Sequence, residues 1–265
     1  APRLRSARHR QPGQGASISG RMRRQDMSKS RSVDAGVTAF QPDELVVDVL
    51  AGTSMRELSH ELAAAGQRLR IPAVGTVGGA IAARRNGPYP ADNAALPNIV
   101  LRIRAVDGQG RTFTAGGGTV KNVSGFDLVK VLVGSYGTLA TILEVRLRTE
   151  PIPRASRWFV GDGPVDVLYR PALIARHAGR TVVNLEGHPD DVIEQAALLN
   201  GFVETETPSP EQVCGFTPFE STGRGTTSAP TDGDQSTLSV CRRLKASFDP
   251  QNLMAPERSA SWGLA

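Results

Sequence analysis

The sequence predicts a mixed α+β fold, and three stretches carry that prediction. Residues 44–50 (ELVVDVL) read as a strand that passes through Ala51 and Gly52 into a helix. Residues 99–107 (IVLRIRAVD) alternate in polarity and, through the turn from Asp107 to Gly110, join TFTA at 112–115 in a hairpin. A tight turn at Gly134–Gly137 then leads into a strand over 139–148.

Each element has its own signal. Ser54 stands as N-cap with Glu57 three residues on, a capping-box spacing. Met55, Leu58 and Leu62 give the helix an apolar stripe, and Gly66 stands where a glycine cap ends it. In the next strand Ile99, Leu101, Ile103 and Ala105 are expected to face one way, and Arg102 and Arg104 the other. A short helix near 127–133 precedes the Gly134 turn. In the strand that follows, Thr141, Leu143, Val145 and Leu147 are expected to share a face. Pro151 and Pro153 mark a boundary, dividing residues 35–150 from a shorter second part, 151–265. That part carries fewer signals: a strand at 181–186, a helix opened by His188-Pro189 and stopped at Asn200-Gly201, a long Pro/Ser/Thr/Gly loop over 205–235, and a final helix near 236–248.

Composition excludes several functions. No run of eighteen apolar residues occurs, so no transmembrane helix is expected, and the charged start lacks the apolar core of a signal peptide. The expectation is a cytoplasmic protein, at most peripheral to a membrane. Residues 1–34, a basic arm, hold nine of the 31 Lys and Arg but only two of the 26 Asp and Glu. The rest of the chain is slightly acidic, so its body is not expected to bind nucleic acid. Cys214 and Cys241 form no CxxC pair, and the four histidines lie at no metal-ligand spacing around them, so no metal site is expected.

Two glycine-rich turns carry the chemistry. In GTVGGAIA, Gly75, Thr76, Val77, Gly78 and Gly79 precede small residues, and glycines without Cβ let successive amides form an anion nest suited to a pyrophosphate. On that reading Gly78→Val would put a branched side chain in the pyrophosphate's place. The stretch is neither a Rossmann fingerprint nor a Walker loop. The second turn, GSYG, is followed at once by TLATILEV. Either turn alone reads more readily as a close-packed bend than as a ligand site; their fixed order with the hairpin between is more informative.

From about Glu44 to Pro151 the chain resembles the FAD-binding domain of the vanillyl-alcohol-oxidase/p-cresol methylhydroxylase superfamily, and within it the FAD-binding-subunit family of bacterial glycolate oxidases. The likeness rests on AGTSMRELSHELAAAGQRLRIP, TVGGAIAA, IRAVDGQGRTFTAGGGTVKNVSGFDL and GSYGTLATILEVRL, with LEGHPDDV and RRLKASFDPQNLMAP in the cap and closing segment.

The resemblance implies a two-subdomain α+β FAD-binding fold with a short α/β cap, and a non-covalent FAD, since no His or Cys stands beside either turn in sequence. It implies that Gly75–Gly79 run along the pyrophosphate and flavin, that Lys121, Asn122, Gly125 and Asp127 lie near the flavin, and that Gly134, Ser135 and Gly137 form a second turn against it. The backbone of Thr141 and Ile142 would meet the adenine. It further implies a small 2-hydroxy acid as substrate, a second flavoprotein subunit and an iron–sulfur subunit as partners. From the residues alone, Lys121 and Asp127 also read as a surface ion pair at a helix start, and His188 as a helix cap rather than a base. Arg84 and Arg85 read either as anion contacts or as exposed charge; no catalytic residue is assigned.

Three departures from the family pattern leave two other readings open: a self-contained flavoenzyme, and a non-catalytic subunit or fragment. The candidate first phosphate loop, Gly13 to Gly20, has no strand–helix unit before it. Ala255-Pro256-Glu257 replaces the usual Asn-Pro-Gly, and the cap is short.

Overall fold

The computed structural model describes residues 34–89, 95–117, 127–218 and 235–264. The basic arm with Gly13–Gly20, and the segment holding Lys121, Asn122 and Gly125, lie outside the described residues.

The first sheet is built from β1 (Val37–Gln41), β2 (Val46–Leu50), β4 (Val100–Asp107), β5 (Thr112–Gly116) and β6 (Ala140–Arg148), in the order β1-β2-β6-β4-β5, every pair antiparallel. Two helices cover one face. In α1 (Met55–Ala64) the predicted stripe is the buried one: Met55, Leu58 and Leu62 are all 0% exposed. Each such burial is worth roughly 1.5–3 kcal/mol. The helix begins as read, with Ser54 as N-cap, but its Oγ accepts from the Arg56 amide and Glu57 is exposed, so the capping box does not form. The short α2 (Val77–Ala82) adds Val77, Ala80 and Ile81 to the same core.

The two long strands depart from strict alternation. Arg104 pairs with Glu144 while Ala105 pairs with Ile142, which leaves Leu143 as an extra residue, a β-bulge. The inward positions of β6 are therefore Ala140 and Ile142 before the bulge and Val145 and Leu147 after it. This corrects the predicted face: Thr141 and Leu143 do not share it. A similar slip at Leu101 hands its core place to Val100, while Ile103 and Ala105 point inward as read. Arg102 and Arg104 occupy the other face. There the Asp48 carboxylate accepts from Arg102 Nη2 (2.8 Å) and Arg146 Nη2 (2.5 Å), and Glu144 accepts from Arg104 Nε (2.9 Å) and Thr38 Oγ1 (2.8 Å). These are cross-strand partners that fix register.

After β7 (Glu150–Pro151), which pairs with β3 (Gln67–Arg68), the chain builds a second antiparallel sheet. Its strands are β8 (Ala155–Gly161), β9 (Leu173–His177), β10 (Arg180–Gly187), β11 (Phe202–Thr205) and β12 (Thr217–Pro218), ordered β11-β8-β10-β9-β12. The predicted strand at 181–186 is thus the centre of a five-stranded sheet. On one side Val183, Leu185 and Phe159 pack against Val192 of the helix Pro189–Ala197; on the other Val182, Trp158 and Leu173 pack with Val213, Phe216 and Tyr89. Ion pairs join the elements around the two sheets: Arg68 of β3 donates to both oxygens of Glu186 on β10 (2.7 and 2.6 Å), and Arg56 of α1 pairs with Glu211 of the helix Pro210–Cys214 (2.8 Å). The helix Gln235–Phe248 returns to the first core through Leu244 and Phe248, and the short helix Pro256–Ser261 follows it.

Candidate functional site

The two glycine turns meet. The segment Ala51–Ser54 leaves β2 and pins the first turn beside it: Met55 N–H donates to Gly75 O (2.9 Å), Val77 N–H to Thr53 O (2.9 Å) and Gly78 N–H to Ala51 O (2.8 Å). Thr76 caps α2, its Oγ1 accepting from the Gly79 amide (3.2 Å). The second turn then closes the far end of the same helix. Gly134 N–H donates to Ile81 O (3.1 Å) and Tyr136 N–H to Ala82 O (2.8 Å), satisfying carbonyls that a helix terminus leaves open.

This geometry corrects the expected anion nest. The amides of Val77, Gly78 and Gly79 are all engaged internally, so they do not converge on a ligand. Nor is the space beside Gly78 ligand space: a Cβ there would lie 2.8 Å from Ala51 Cβ and 3.1 Å from Ala51 O. Gly78 is a close-packing glycine between helix and strand. Gly75 is different. It is exposed at φ +74°, and the amides of Gly75 and Thr76 make no hydrogen bond among the described residues.

Gly134 (φ +88°) and Gly137 (φ +74°) take left-handed conformations that suit glycine, and a Cβ on Gly137 would meet nothing within 4 Å. Tyr136 holds the same region at φ +53° without that freedom. Ser135 is buried and its carbonyl accepts from Thr138 N–H (2.9 Å) and Oγ1 (2.7 Å), so it shapes the turn. Directly beyond, β6 has a strand partner only in β4 over Ala140–Ile142, because β2 reaches no further than Leu50 opposite Glu144. One backbone edge of Thr141 and Ile142 is therefore left without a strand neighbour, next to both turns. The Thr141 hydroxyl lies 3.7 Å from Met254 Sδ.

Other residues singled out by sequence have structural partners. Asp127 caps the helix Leu128–Leu132, accepting from the Lys130 amide and pairing with its Nζ at 3.1 Å. That is a surface ion pair at a helix start, with Lys130 as the partner. His188 caps the helix Pro189–Ala197 through Nδ1, as its place before Pro189 implied. Arg85 Nη1 donates to Val74 O (2.8 Å), while Arg84 is exposed at φ +47° with its stem packed under Gly134.

Sequence reading missed a set of contacts from the chain's end. Lys245 Nζ is buried and donates to Thr138 O (2.9 Å), Met254 O (2.9 Å) and Asp249 Oδ2 (2.6 Å). Arg258 Nη1 donates to Tyr136 O (3.1 Å). The one available signal was Lys245 and Asp249 at helical i, i+4 spacing beside apolar Leu244 and Phe248. Cys214 is exposed at the end of the helix Pro210–Cys214 and lies close enough to Arg85 to feel its charge. Burial nonetheless raises its thiol pKa above the usual value.

A separate cleft of about 240 Å³ is lined by Arg68, Leu69, Arg70, Ile99, Arg148, Thr149 and Glu150. It sits at the opposite end of β6 from the turns. Glu150 Oε1 bridges Arg68 Nε (2.8 Å) and Arg70 Nε (2.9 Å) there, while Arg148 Nη2 donates to Asn98 O (3.1 Å), so the lining stays net positive. Among the described residues no cluster of metal-ligating side chains occurs, and no helix is long and apolar enough to cross a membrane.

The chain is 36% identical over 126 residues to the glycolate oxidase subunit GlcE of Escherichia coli (strain K12), a match covering 46% of this chain and 36% of that protein. It is 43% identical over 76 residues to a D-lactate dehydrogenase of Archaeoglobus fulgidus, covering 29% of this chain and 17% of the relative. It is 27% identical over 176 residues to the mitochondrial D-lactate dehydrogenase [cytochrome] of Arabidopsis thaliana, covering 65% and 31%. Among solved structures, an alkyldihydroxyacetonephosphate synthase shares the fold, with a TM-score of 0.53 at 15% identity over 68% of this chain and 43% of that one. In sequence the chain is thus similar to a glycolate oxidase subunit and to D-lactate dehydrogenases, and in fold to an alkyldihydroxyacetonephosphate synthase. No family model matches. The matched regions span little more than a third, or less, of the curated relatives' own lengths.

Proposed function

We propose that this chain is the FAD-binding part of an oxidoreductase acting on a small 2-hydroxy acid of the glycolate or lactate kind, which passes electrons to a partner. The observation that carries the reading is the backbone junction of the two glycine turns, beside an unpaired edge of β6, in a chain similar to a glycolate oxidase subunit and to D-lactate dehydrogenases. FAD is held non-covalently. Gly75 and Thr76 offer unengaged amides, Gly134, Ser135 and Gly137 form a wall that a flat ring can approach, and Thr141 and Ile142 offer backbone groups to the adenine. Val77, Gly78 and Gly79 hold the wall together from behind. Lys121, Asn122, Gly125 and Asp127 are the further flavin contacts that this reading assigns.

The flavin, when bound, supplies the two-electron chemistry, and the protein supplies position and electrostatics. The substrate's carboxylate calls for a guanidinium fork. Arg84 is exposed beside the second turn, with its stem against Gly134, and Arg85 has one nitrogen engaged by Val74 O. The likeness to a protein named as a glycolate oxidase subunit favours partner chains, and a second flavoprotein subunit and an iron–sulfur subunit are the ones this reading names.

The test is an absorption spectrum of the purified chain after incubation with FAD and gel filtration. Retained bands near ~450 nm, with FAD released by heat, are the expected result. Dye-linked oxidation of glycolate and D-lactate then addresses the substrate class. A chain that stays colourless after incubation sinks the proposal.

A further inference from the structure

The end of the chain grips the second glycine turn at two points. Lys245 is 3% exposed and holds the carbonyl of Thr138, immediately after the turn. Its charge is matched by Asp249, whose oxygens also accept from the amides of Leu253 (2.9 Å) and Met254 (2.7 Å), so the carboxylate shapes the loop that leads to Arg258. Arg258 holds the carbonyl of Tyr136, and its guanidinium lies 5.2 Å from the Tyr136 ring centre and 5.9 Å from that of Trp262. The Tyr136 and Trp262 rings meet edge to face at 5.2 Å. These contacts converge on the one non-glycine residue of the turn in a left-handed conformation. Such a conformation costs on the order of 1 kcal/mol and persists where its surroundings over-determine it.

We infer that the carboxy-terminal segment Gln235–Leu264 is the positioning element of the second glycine turn, with Lys245 and Arg258 as its positioning residues. The inference rests on the proposed function for the claim that this turn faces a flavin, but not for the claim that the segment sets its shape. Lys245 orders the turn's exit and Arg258 its apex, while the bonds to Ile81 and Ala82 fix its entry.

The experiment is amide hydrogen exchange on the full chain, comparing Arg258→Ala, Arg258→Lys and Lys245→Met with the native protein, alongside FAD titration of each. Loss of one charge-assisted hydrogen bond should speed exchange across residues 134–139 about tenfold in Arg258→Ala. Arg258→Lys, which can still donate to Tyr136 O, should restore most of the protection, and the strands at 173–187 should be unchanged. FAD binding should weaken by a similar factor in Arg258→Ala and recover in Arg258→Lys. Lys245 is buried, so Lys245→Met is expected to show the larger local effect; if it unfolds the chain, the exposed Arg258 pair decides alone. Unchanged exchange at 134–139 in Arg258→Ala, or an equal rise throughout the protein, overturns the inference. A native chain that takes up no FAD would refute the flavin reading, and the exchange comparison would still decide the positioning role.

Discussion

Replacing Gly78 by alanine tests whether the first glycine turn serves packing or a ligand. In the native fold an added Cβ would sit 2.8 Å from Ala51 Cβ and 3.1 Å from Ala51 O. Carbon atoms pack best at about 3.5–4.0 Å, so α2 and the end of β2 must separate by roughly 0.7–1.2 Å. Overpacking of this size costs about 1–3 kcal/mol. The same movement stretches the Gly78 N–H to Ala51 O bond, now 2.8 Å, at a further cost of about 1 kcal/mol. Against this, alanine gains up to about 1 kcal/mol of helix propensity over glycine, and less so near a helix start. The net expectation is a loss of about 1–3 kcal/mol, or roughly 3–10 °C in Tm for a chain of this size. Urea unfolding followed by tryptophan fluorescence measures it. Ala51→Gly removes the opposing methyl, so the double variant should recover at least half the loss. A Gly78→Ala protein as stable as the native one, or a double variant with no recovery, would refute the packing account. A stable Gly78→Ala protein that had lost flavin would restore the ligand-side reading of this glycine.

Two further outcomes follow from the same contacts. The Thr38 hydroxyl bonds the Glu144 carboxylate and, with Arg104 adding to it against an opposing effect of burial, holds its pKa below the usual value. A depressed pKa contributes stability that is present above the unfolded value and lost as pH falls through the folded one. The stability gap between native protein and Glu144→Gln should therefore stay constant from neutral pH down to about 5 and close below about 4; a gap unchanged at low pH would exclude the contribution. At Tyr136, glycine relieves about 1 kcal/mol of backbone strain but gives up the Trp262 and Arg258 ring contacts, each worth about 0.5–1 kcal/mol. Tyr136→Gly should thus unfold within about 1 kcal/mol of native, whereas Tyr136→Val, branched at Cβ, should lose about 2 kcal/mol or more. Equal stability of the two variants in denaturant titrations would show that the turn is not strained.

Much of the first sheet was legible because one of its faces is covered and the other is charged. Met55, Leu58 and Leu62 announce a helix by spacing, and Arg102 and Arg104 mark the outer face of β4. The bulges were not legible, because apolar Ile142 and Leu143 are adjacent and either could begin the inward series; only pairing with β4 decides. The second sheet was hardest to read for a related reason. In β8, Trp158 and Phe159 are both buried, on opposite faces, so no alternation is left to read. Lys245 was hidden by its type. A lysine in a helix reads as solvent-facing until the carbonyls of Thr138 and Met254 are known to lie within reach.

The same limit governs the glycine turns. Sequence shows which positions lack a Cβ, but not whether a ligand or a neighbouring strand fills the space. Gly78 is filled by Ala51, whereas Gly137 faces nothing within 4 Å. The distinction changes what the site can hold. A pyrophosphate needs several convergent donors, and the amides of Val77, Gly78 and Gly79 are already bonded to Thr53, Ala51 and Thr76. Near the junction of the turns, the described residues leave the amides of Gly75 and Thr76, the guanidinium of Arg84 and the edge of Thr141–Ile142. That set suits the rim of a flat ring and one nearby charge better than a string of phosphates. On the proposed reading, the paired turns therefore flank the ring systems rather than cradle the phosphates.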